Sequence, residues 1–276
     1  MNTQKLLQFS RPRFRLYLIG PFLLWYVASI TQPTDFLSRS FLWRLVYFTL
    51  PANLLIYGVN DIADYDTDKN NPKKQSYESL LTPDKQKTMR QVIACTNIPF
   101  IIRAAIQEQY ILIALLIFRF FGIFYSSKPI RAKKIPFIDG IFNILYIIPG
   151  FLGYVLWWWT HINRTIVIAW TLRCMAMHAY SAIPDIQSDK QAKLRTTATI
   201  LQKKWTLLYC LICRIIAGLL WYTIIGPVSL IAMTIYISLI FISYKKELFA
   251  VYKQFPLINT IIGIIIFFTL LIQKIS

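Results

Sequence analysis

Charged residues are scarce in this chain. Asp, Glu, Lys and Arg make up only 15% of its 276 residues, whereas hydrophobic residues make up 56%. A soluble globular chain has about 25% charged and about 45–50% apolar residues, so both departures favour a membrane protein. The same composition excludes an intrinsically disordered chain and a coiled coil.

Cysteine is also scarce, with four residues at Cys95, Cys174, Cys210 and Cys213. They lie in apolar stretches without the spacing of a zinc site or a disulfide framework, so a secreted, disulfide-stapled fold is excluded and we expect core packing. The first apolar run is not followed by a small-residue cleavage site. We therefore interpret that run as a retained membrane anchor and not as a removed signal peptide.

Long apolar runs, by contrast, are abundant. A helix needs about 20 residues to cross the hydrocarbon core of a membrane. Nine runs approach this length: Leu16–Ile30, Phe41–Val59, Met89–Ile106, Tyr110–Tyr125, Ile138–Leu156, Thr165–Ile183, Trp205–Tyr222, Gly226–Tyr244 and Leu257–Ile272. We expect an all-α, polytopic membrane protein with nine transmembrane helices, built as a single domain over residues 1–276.

Acidic residues are few, 12 against 30 basic residues, for a formal net charge of +18. In a soluble protein this excess of positive charge would indicate a nucleic-acid partner. Here, however, the predicted spans place most of the basic residues on one side of the lipid bilayer. The positive-inside rule makes that side cytoplasmic, which predicts an inner-membrane protein with a cytoplasmic N-terminus and no nucleic-acid partner.

Two short acidic clusters stand at the cytoplasmic ends of predicted spans. Asp61, Asp64 and Asp68 follow the second span, and Asp185 and Asp189 follow the sixth. Residues three and four apart share a helix face, so these carboxylates would repel one another unless a cation offsets the repulsion. Oxygen ligands suit Mg²⁺, which combines one or two carboxylates with substrate phosphates. The clusters therefore predict a magnesium–diphosphate site facing the cytoplasm.

Neighbouring residues support this prediction. Lys69, Lys73 and Lys74 follow the first cluster and suit phosphate. Asn53 is a further candidate substrate-binding residue and is expected to line a polar interior within the spans. An EF-hand calcium loop is a rival interpretation of the first cluster, but Lys69 occupies the position that needs Gly and Gln75 the position that needs Glu. Solvated loops whose charges only set the orientation of the protein in the membrane are the other rival interpretation. They leave the regular spacing of the acidic residues unexplained.

Both motifs resemble those of the UbiA-type intramembrane prenyltransferases, a family of nine-helix bundles. That family carries N-D-x-x-D-x-x-x-D after its second helix and a Y-x-x-x-K-D-x-x-x-D-like motif after its sixth. The resemblance extends from Ser10 to about Gly226. The segments Ser10–Arg13, Tyr180–Asp185 and Arg195–Thr199 are similar to the carotenoid-prenylating branch, the lycopene elongases.

Three positions depart from the family pattern. Pro184 replaces the lysine expected before the second acidic pair, although proline is usual in the carotenoid branch. Lys193 and Gln202 stand where relatives tend to have glycine, which leaves the local loop geometry open.

The resemblance implies roles for individual residues. Magnesium and diphosphate would be bound by Asn60, Asp61, Asp64, Asp68, Asp185 and Asp189, and phosphate oxygens by Arg131, Lys134 and Arg195. In such enzymes the cations stabilise the leaving diphosphate of an allylic donor such as dimethylallyl diphosphate, and a hydrophobic acceptor attacks the carbocation. A ring of Tyr125 or Tyr180 would face that cation, with interfacial anchoring as the rival interpretation of both tyrosines.

Three arginines, Arg119, Arg173 and Arg214, fall within predicted spans, where a buried charge is costly. A contact with substrate, or with Asp139 as an acidic partner, is one interpretation, and snorkelling to the interface is the other. We interpret His178 as a core histidine with satisfied hydrogen bonds.

The sequence thus predicts a membrane prenyltransferase that depends on Mg²⁺ and acts on a prenyl diphosphate donor and a carotenoid such as lycopene. Prenylation of an aromatic quinone precursor or another lipid acceptor is the enzymatic alternative. A membrane transporter with arginines along its substrate path, and a catalytically inactive assembly factor, are the alternatives from other classes.

Overall fold

The computed structural model describes residues 3–69, 79–154, 164–245 and 247–275. Every regular element in these ranges is helical, which confirms the predicted all-α fold. The α-helices are α1 Thr3–Phe9, α2 Leu16–Ser29, α3 Arg39–Thr49, α4 Pro51–Ala63, α5 Tyr65–Asp68, α6 Pro83–Gln107, α7 Gln109–Phe124, α8 Ile138–Ile141, α9 Ile148–Tyr154, α10 Arg164–Ala182, α11 Ile186–Gln191, α12 Thr197–Ile225, α13 Pro227–Lys245, α14 Leu248–Tyr252 and α15 Phe255–Ile275. Lys73, Lys74, Gln75 and Leu156 lie outside the described residues.

Each predicted span coincides with a helical segment. Within the described ranges, five segments are long and apolar enough to cross a membrane: Arg39–Ala63, Arg164–Gln191, Thr197–Ile225, Pro227–Lys245 and Leu248–Lys274. Shorter apolar helices cover Leu16–Ser29, Gln109–Phe124 and Ile138–Tyr154, and α6 carries the remaining predicted span. The total of nine transmembrane helices stays a prediction.

Proline and glycine mark the interruptions between these helices. The second predicted span divides into α3 and α4 at Leu50, which has φ −134° and precedes Pro51. Proline disfavours helical geometry in the residue before it and is well suited to the first turn of the next helix. Gly226, with φ +62°, separates α12 from α13 in a backbone conformation that glycine adopts without penalty.

The chain forms two compact units. The first contains the described residues within 1–131, 148–157 and 267–276. Its core is aromatic, with Phe22, Tyr26, Phe41 and Phe48 all buried and the rings of Tyr26 and Phe41 only 4.5 Å apart. Helix α9 lies against α2 at Gly153, where a Cβ atom would stand 2.4 Å from the Phe22 carbonyl oxygen. Glycine is therefore required for this close approach.

The second unit contains the described residues within 132–147 and 158–266. Its apolar core is contributed mainly by α10, α12 and α13, and Cys210 and Cys213 are buried in it, as expected. The expectation of core packing is wrong for Cys95, which is exposed on α6. The single domain over residues 1–276 stays a prediction.

Candidate active site

The first acidic cluster spans the junction of α4 and α5. Helix α4 ends at Ala63, and Asp64, with φ −109° and ψ 6°, links it to the single turn of α5. Backbone hydrogen bonds nevertheless continue at helical spacing, from Asp64 N to the Asn60 carbonyl (3.0 Å) and from Asp68 N to the Asp64 carbonyl (2.8 Å). Asp61 and Asp64 are buried and Asp68 is half-buried. The helical register predicted for these three carboxylates is therefore preserved.

Arg11 is a site residue that sequence reasoning missed. Its Nη2 donates to Asp61 Oδ1 at 2.9 Å, and its guanidinium lies 4.6 Å from the centre of the Tyr57 ring. The Asp61 side chain is only 3% exposed, so its charge requires a close cation. The signal in the sequence that includes Arg11 is the segment Ser10–Arg13, which is similar to the carotenoid-prenylating branch.

Arg131 and Asn60 lie beside the same cluster, and their roles in binding diphosphate stay predictions. Arg131 Nη2 lies 3.6 Å from Asp64 Oδ1 and 3.5 Å from the Ala63 carbonyl oxygen. The buried hydroxyl of Ser126 donates to Asn60 Oδ1 at 2.7 Å. Carboxylates and guanidinium groups thus alternate at the end of α4 within the first unit.

Three other predicted residues of the first unit take different positions. Asn53 is fully buried, and its amide donates to the Phe48 carbonyl at 2.8 Å, next to the break between α3 and α4. Lys69 is exposed and lies 3.6 Å from the exposed carboxylate of Asp66. Tyr125 is half-buried directly after the last residue of α7.

The second acidic cluster follows a helix that proline ends. Helix α10 stops at Ala182, Ile183–Asp185 forms one 3-10 turn containing Pro184, and α11 then begins. Proline lacks the N–H group that would continue the helix. Asp185 and Asp189 are half-buried, and the Asp189 carbonyl accepts from Leu194 N at 2.8 Å.

Lys134 and Arg195, the two candidate phosphate-binding residues of the second unit, are exposed. Lys134 ends a short 3-10 turn, and Arg195 immediately precedes the N-terminal cap of α12. Lys193 and Gln202 have φ +54° and +58°, in the left-handed region. The backbone at both positions therefore keeps the conformation that the family's glycine would favour.

Tyr180 lies in the core of the second unit. It is 2% exposed, its hydroxyl is hydrogen-bonded to Ser243 Oγ, and its ring centre is 4.6 Å from that of Phe255. This packing favours a structural role for Tyr180 over contact with a reacting carbocation.

Arg173 and Arg214 meet at Tyr236. Arg173 Nη2 donates to the Tyr236 hydroxyl at 2.8 Å, and the Arg214 guanidinium lies 4.0 Å from the centre of the ring. The proposed pairing of these arginines with Asp139 is wrong, because Asp139 accepts hydrogen bonds from Thr197 instead. Neutral and aromatic partners therefore offset part of the cost of the buried Arg214 and the half-buried Arg173. Arg119 is half-buried on α7 of the first unit.

The donor set fits magnesium with a phosphate ligand. Across the part of the chain that the structure describes, no three His, Cys, Asp or Glu side chains converge as a metal-binding group. Magnesium needs only one or two protein carboxylates when substrate phosphates complete its coordination. The buried oxygens of Asp61 and Asp64 suit the ion, and Arg11 and Arg131 beside them suit phosphate.

Residues 18–254 match the UbiA prenyltransferase family. The chain belongs to this family. It is 34% identical over 268 residues to the lycopene elongase/hydratase of Haloarcula japonica, with 96% of this chain and 90% of that protein covered. It is 32% identical to the lycopene elongase/hydratase of Haloferax volcanii, with 93% and 85% covered.

The fold of this UbiA-family chain is similar to solved structures. A UbiA homologue from Archaeoglobus fulgidus bound to GPP and Mg²⁺ has a TM-score of 0.75 at 19% identity, with 97% of this chain and 99% of that chain covered. The apo UbiA homologue from Aeropyrum pernix K1 has a TM-score of 0.73 at 14% identity, with 96% and 99% covered. The family membership confirms a membrane-embedded prenyltransferase and sets the transporter aside.

Proposed function

We propose that this UbiA-family enzyme transfers the prenyl group of dimethylallyl diphosphate to a carotenoid, with lycopene as the acceptor, in a reaction that depends on Mg²⁺. The observation that carries the proposal is the alternation of buried carboxylates and guanidinium groups at the end of α4, where Arg11 faces Asp61 and Arg131 faces Asp64. The acceptor assignment is supported by the two relatives named lycopene elongase/hydratase, which align over 93% or more of this chain.

The donor is held through its diphosphate. In our proposal Mg²⁺ is held by the carboxylates of Asp61, Asp64, Asp68, Asp185 and Asp189. Phosphate oxygens are bound by Arg131, Lys134 and Arg195. The bound ion supplies positive charge that stabilises the departing diphosphate. Asn60, fixed by the Ser126 hydroxyl, completes the first acidic cluster.

The chemistry that follows is ionisation and attack. The allylic C–O bond breaks and its electron pair leaves with the diphosphate. The π electrons of an acceptor double bond then form the new C–C bond, which moves the positive charge to the acceptor until loss of a proton or addition of water removes it. We assign the ring that faces the allylic cation to Tyr125, because Tyr180 is packed against Phe255.

The proposed site faces the cytoplasm. Both acidic clusters follow spans at ends that the distribution of basic residues assigns to the cytoplasmic side. A water-soluble diphosphate would approach from that side, while the apolar acceptor enters from the lipid bilayer.

Co-expression in a host that accumulates lycopene tests the proposal, with mass spectrometry of the extracted carotenoids. We expect a gain of one or two isoprene units with the native chain and none with Asp64→Ala. Asp66→Ala is the matched control, because Asp66 is an exposed carboxylate two residues from Asp64 and is expected to leave the product unchanged. Unchanged lycopene, with the protein present in the membrane, would contradict the acceptor assignment, and aromatic quinone precursors would then be the acceptors to assay.

A further inference from the structure

Asp139 is a buried carboxylate with several hydrogen bonds in the second unit. It is 1% exposed. Oδ1 accepts from Gly140 N at 2.8 Å and from Thr197 Oγ1 at 2.5 Å, and Oδ2 accepts from Thr197 N at 2.8 Å. His178 Nε2, on α10, lies 3.7 Å from Oδ2. Two N–H groups and one hydroxyl therefore donate to one carboxylate, and an imidazole nitrogen from a further segment lies close to it.

Thr197 extends this network to Phe137, the residue directly before α8. Its hydroxyl donates to Asp139 and accepts from Phe137 N at 2.7 Å. Phe137 has φ +66°, a left-handed conformation that a residue with a Cβ atom adopts only where its surroundings hold it there. The Thr197 hydroxyl is one such restraint, because it fixes the direction of the Phe137 N–H group.

The charge of Asp139 also suits the start of α12. Thr197 is the first residue of that helix, and its N–H group belongs to the unpaired first turn. A carboxylate at a helix N-terminus is favoured by the helix dipole. Asp139 thus holds the beginning of α12 from a different segment of the chain.

The segments joined by this network carry candidate phosphate-binding residues. Lys134 is three residues before Phe137, and Arg195 is two residues before Thr197. Helix α10, which contributes His178, leads into the turn that carries Asp185. We propose that Asp139 is a positioning residue: by holding Thr197 and Phe137 in place, it sets the backbone that presents Lys134 and Arg195 to the diphosphate of the donor. This inference rests on the proposed function of those two cations.

The test separates binding of diphosphate from turnover. Asp139→Asn and Thr197→Val would be purified in detergent, and the KM of the prenyl diphosphate donor, the KM of the acceptor and the affinity for inorganic diphosphate with Mg²⁺ would be measured. We expect the donor KM and the dissociation constant of diphosphate to rise about tenfold in both variants, with the acceptor KM unchanged. Thr197→Ser, which keeps the hydroxyl, should restore native values.

Thr206→Val is the control. Thr206 is a buried threonine of the same helix whose hydroxyl oxygen has no hydrogen-bond partner among the described residues. Its donor KM should equal that of the native protein. If Asp139→Asn does not fold, Thr197→Val decides the question, because it replaces the Thr197 hydroxyl with a methyl group of similar size and so removes the hydrogen bonds at little steric cost.

Each outcome assigns the failure to one hypothesis. A purely structural role for Asp139 would reduce the yield of folded protein while leaving donor KM and diphosphate affinity at native values in the folded fraction, and that result would overturn the inference. If the native chain binds diphosphate, loses this binding in the variants, but transfers no prenyl group, the proposed function is wrong and the positioning role stands.

Discussion

Replacing Gln202 by glycine should stabilise this enzyme, although it removes side-chain contacts. Gln202 has φ +58° and ψ 171° inside α12, a region that is almost restricted to glycine. A residue with a Cβ atom carries about 1–3 kcal/mol of strain there. The strain is relieved completely by glycine because no Cβ atom remains to meet the backbone.

Two costs oppose this gain. Gln202 Oε1 accepts from Lys190 Nζ at 2.9 Å, and Gln202 Nε2 donates to the Thr199 carbonyl. Gln202 is exposed, so losing these bonds costs about 0.5 kcal/mol. The greater freedom of glycine in the unfolded chain costs about 0.5–1 kcal/mol more. We expect a net stabilisation of about 1 kcal/mol, which corresponds to a rise of about 2 °C in Tm for a chain of this length.

The assay is thermal unfolding of the detergent-solubilised protein, followed as the fraction that stays monodisperse on size-exclusion chromatography. Lys203→Gly is the matched control, because Lys203 is exposed, adjacent, and helical. There the same substitution should lower stability by about 1 kcal/mol. If Gln202→Gly lowers the Tm as much as Lys203→Gly does, the strain argument is wrong.

Three further predictions concern the metal and two buried contacts. Chelation with EDTA should stop prenyl transfer and excess Mg²⁺ should restore it, whereas turnover that persists after exhaustive chelation would contradict a magnesium requirement. Arg11→Leu should lower the free energy of unfolding by about 3 kcal/mol, because it removes the cation 2.9 Å from Asp61. The loss should be smaller in an Asp61→Asn background, and an equal loss in the two backgrounds would show that the pair is uncoupled. Tyr236→Phe should lower the free energy of unfolding by about 1–3 kcal/mol, because Arg173 loses its hydroxyl acceptor. Tyr222→Phe is the control, and it should leave the melting temperature unchanged because Tyr222 is exposed.

Much of the fold and part of the site could be predicted from local pattern. Apolar runs of membrane-spanning length indicate helices, because backbone N–H and C=O groups in lipid must form hydrogen bonds within their own segment. The acidic clusters could be recognised because residues three and four apart lie on the same face of a helix. Even the departures from glycine at Lys193 and Gln202 pointed to positions where the backbone has positive φ.

Side-chain partners across the chain could not be predicted in this way. Arg11 and Asp61 are 50 residues apart, and Asp139 and Thr197 are 58 apart. Their contacts depend on how helices pack, and spacing along the chain carries no information about that. For the same reason the interpretation of Asp139 as a partner of Arg173 or Arg214 is wrong.

The sequence by itself therefore determined the membrane-embedded helical class, the positions of the acidic clusters and the family, because these depend on composition and short-range spacing. The tertiary structure decided which cation neutralises which carboxylate and placed Tyr180 in the core of the second unit. It also showed that Asp139 holds the start of α12, because each of these contacts requires two segments to be packed together.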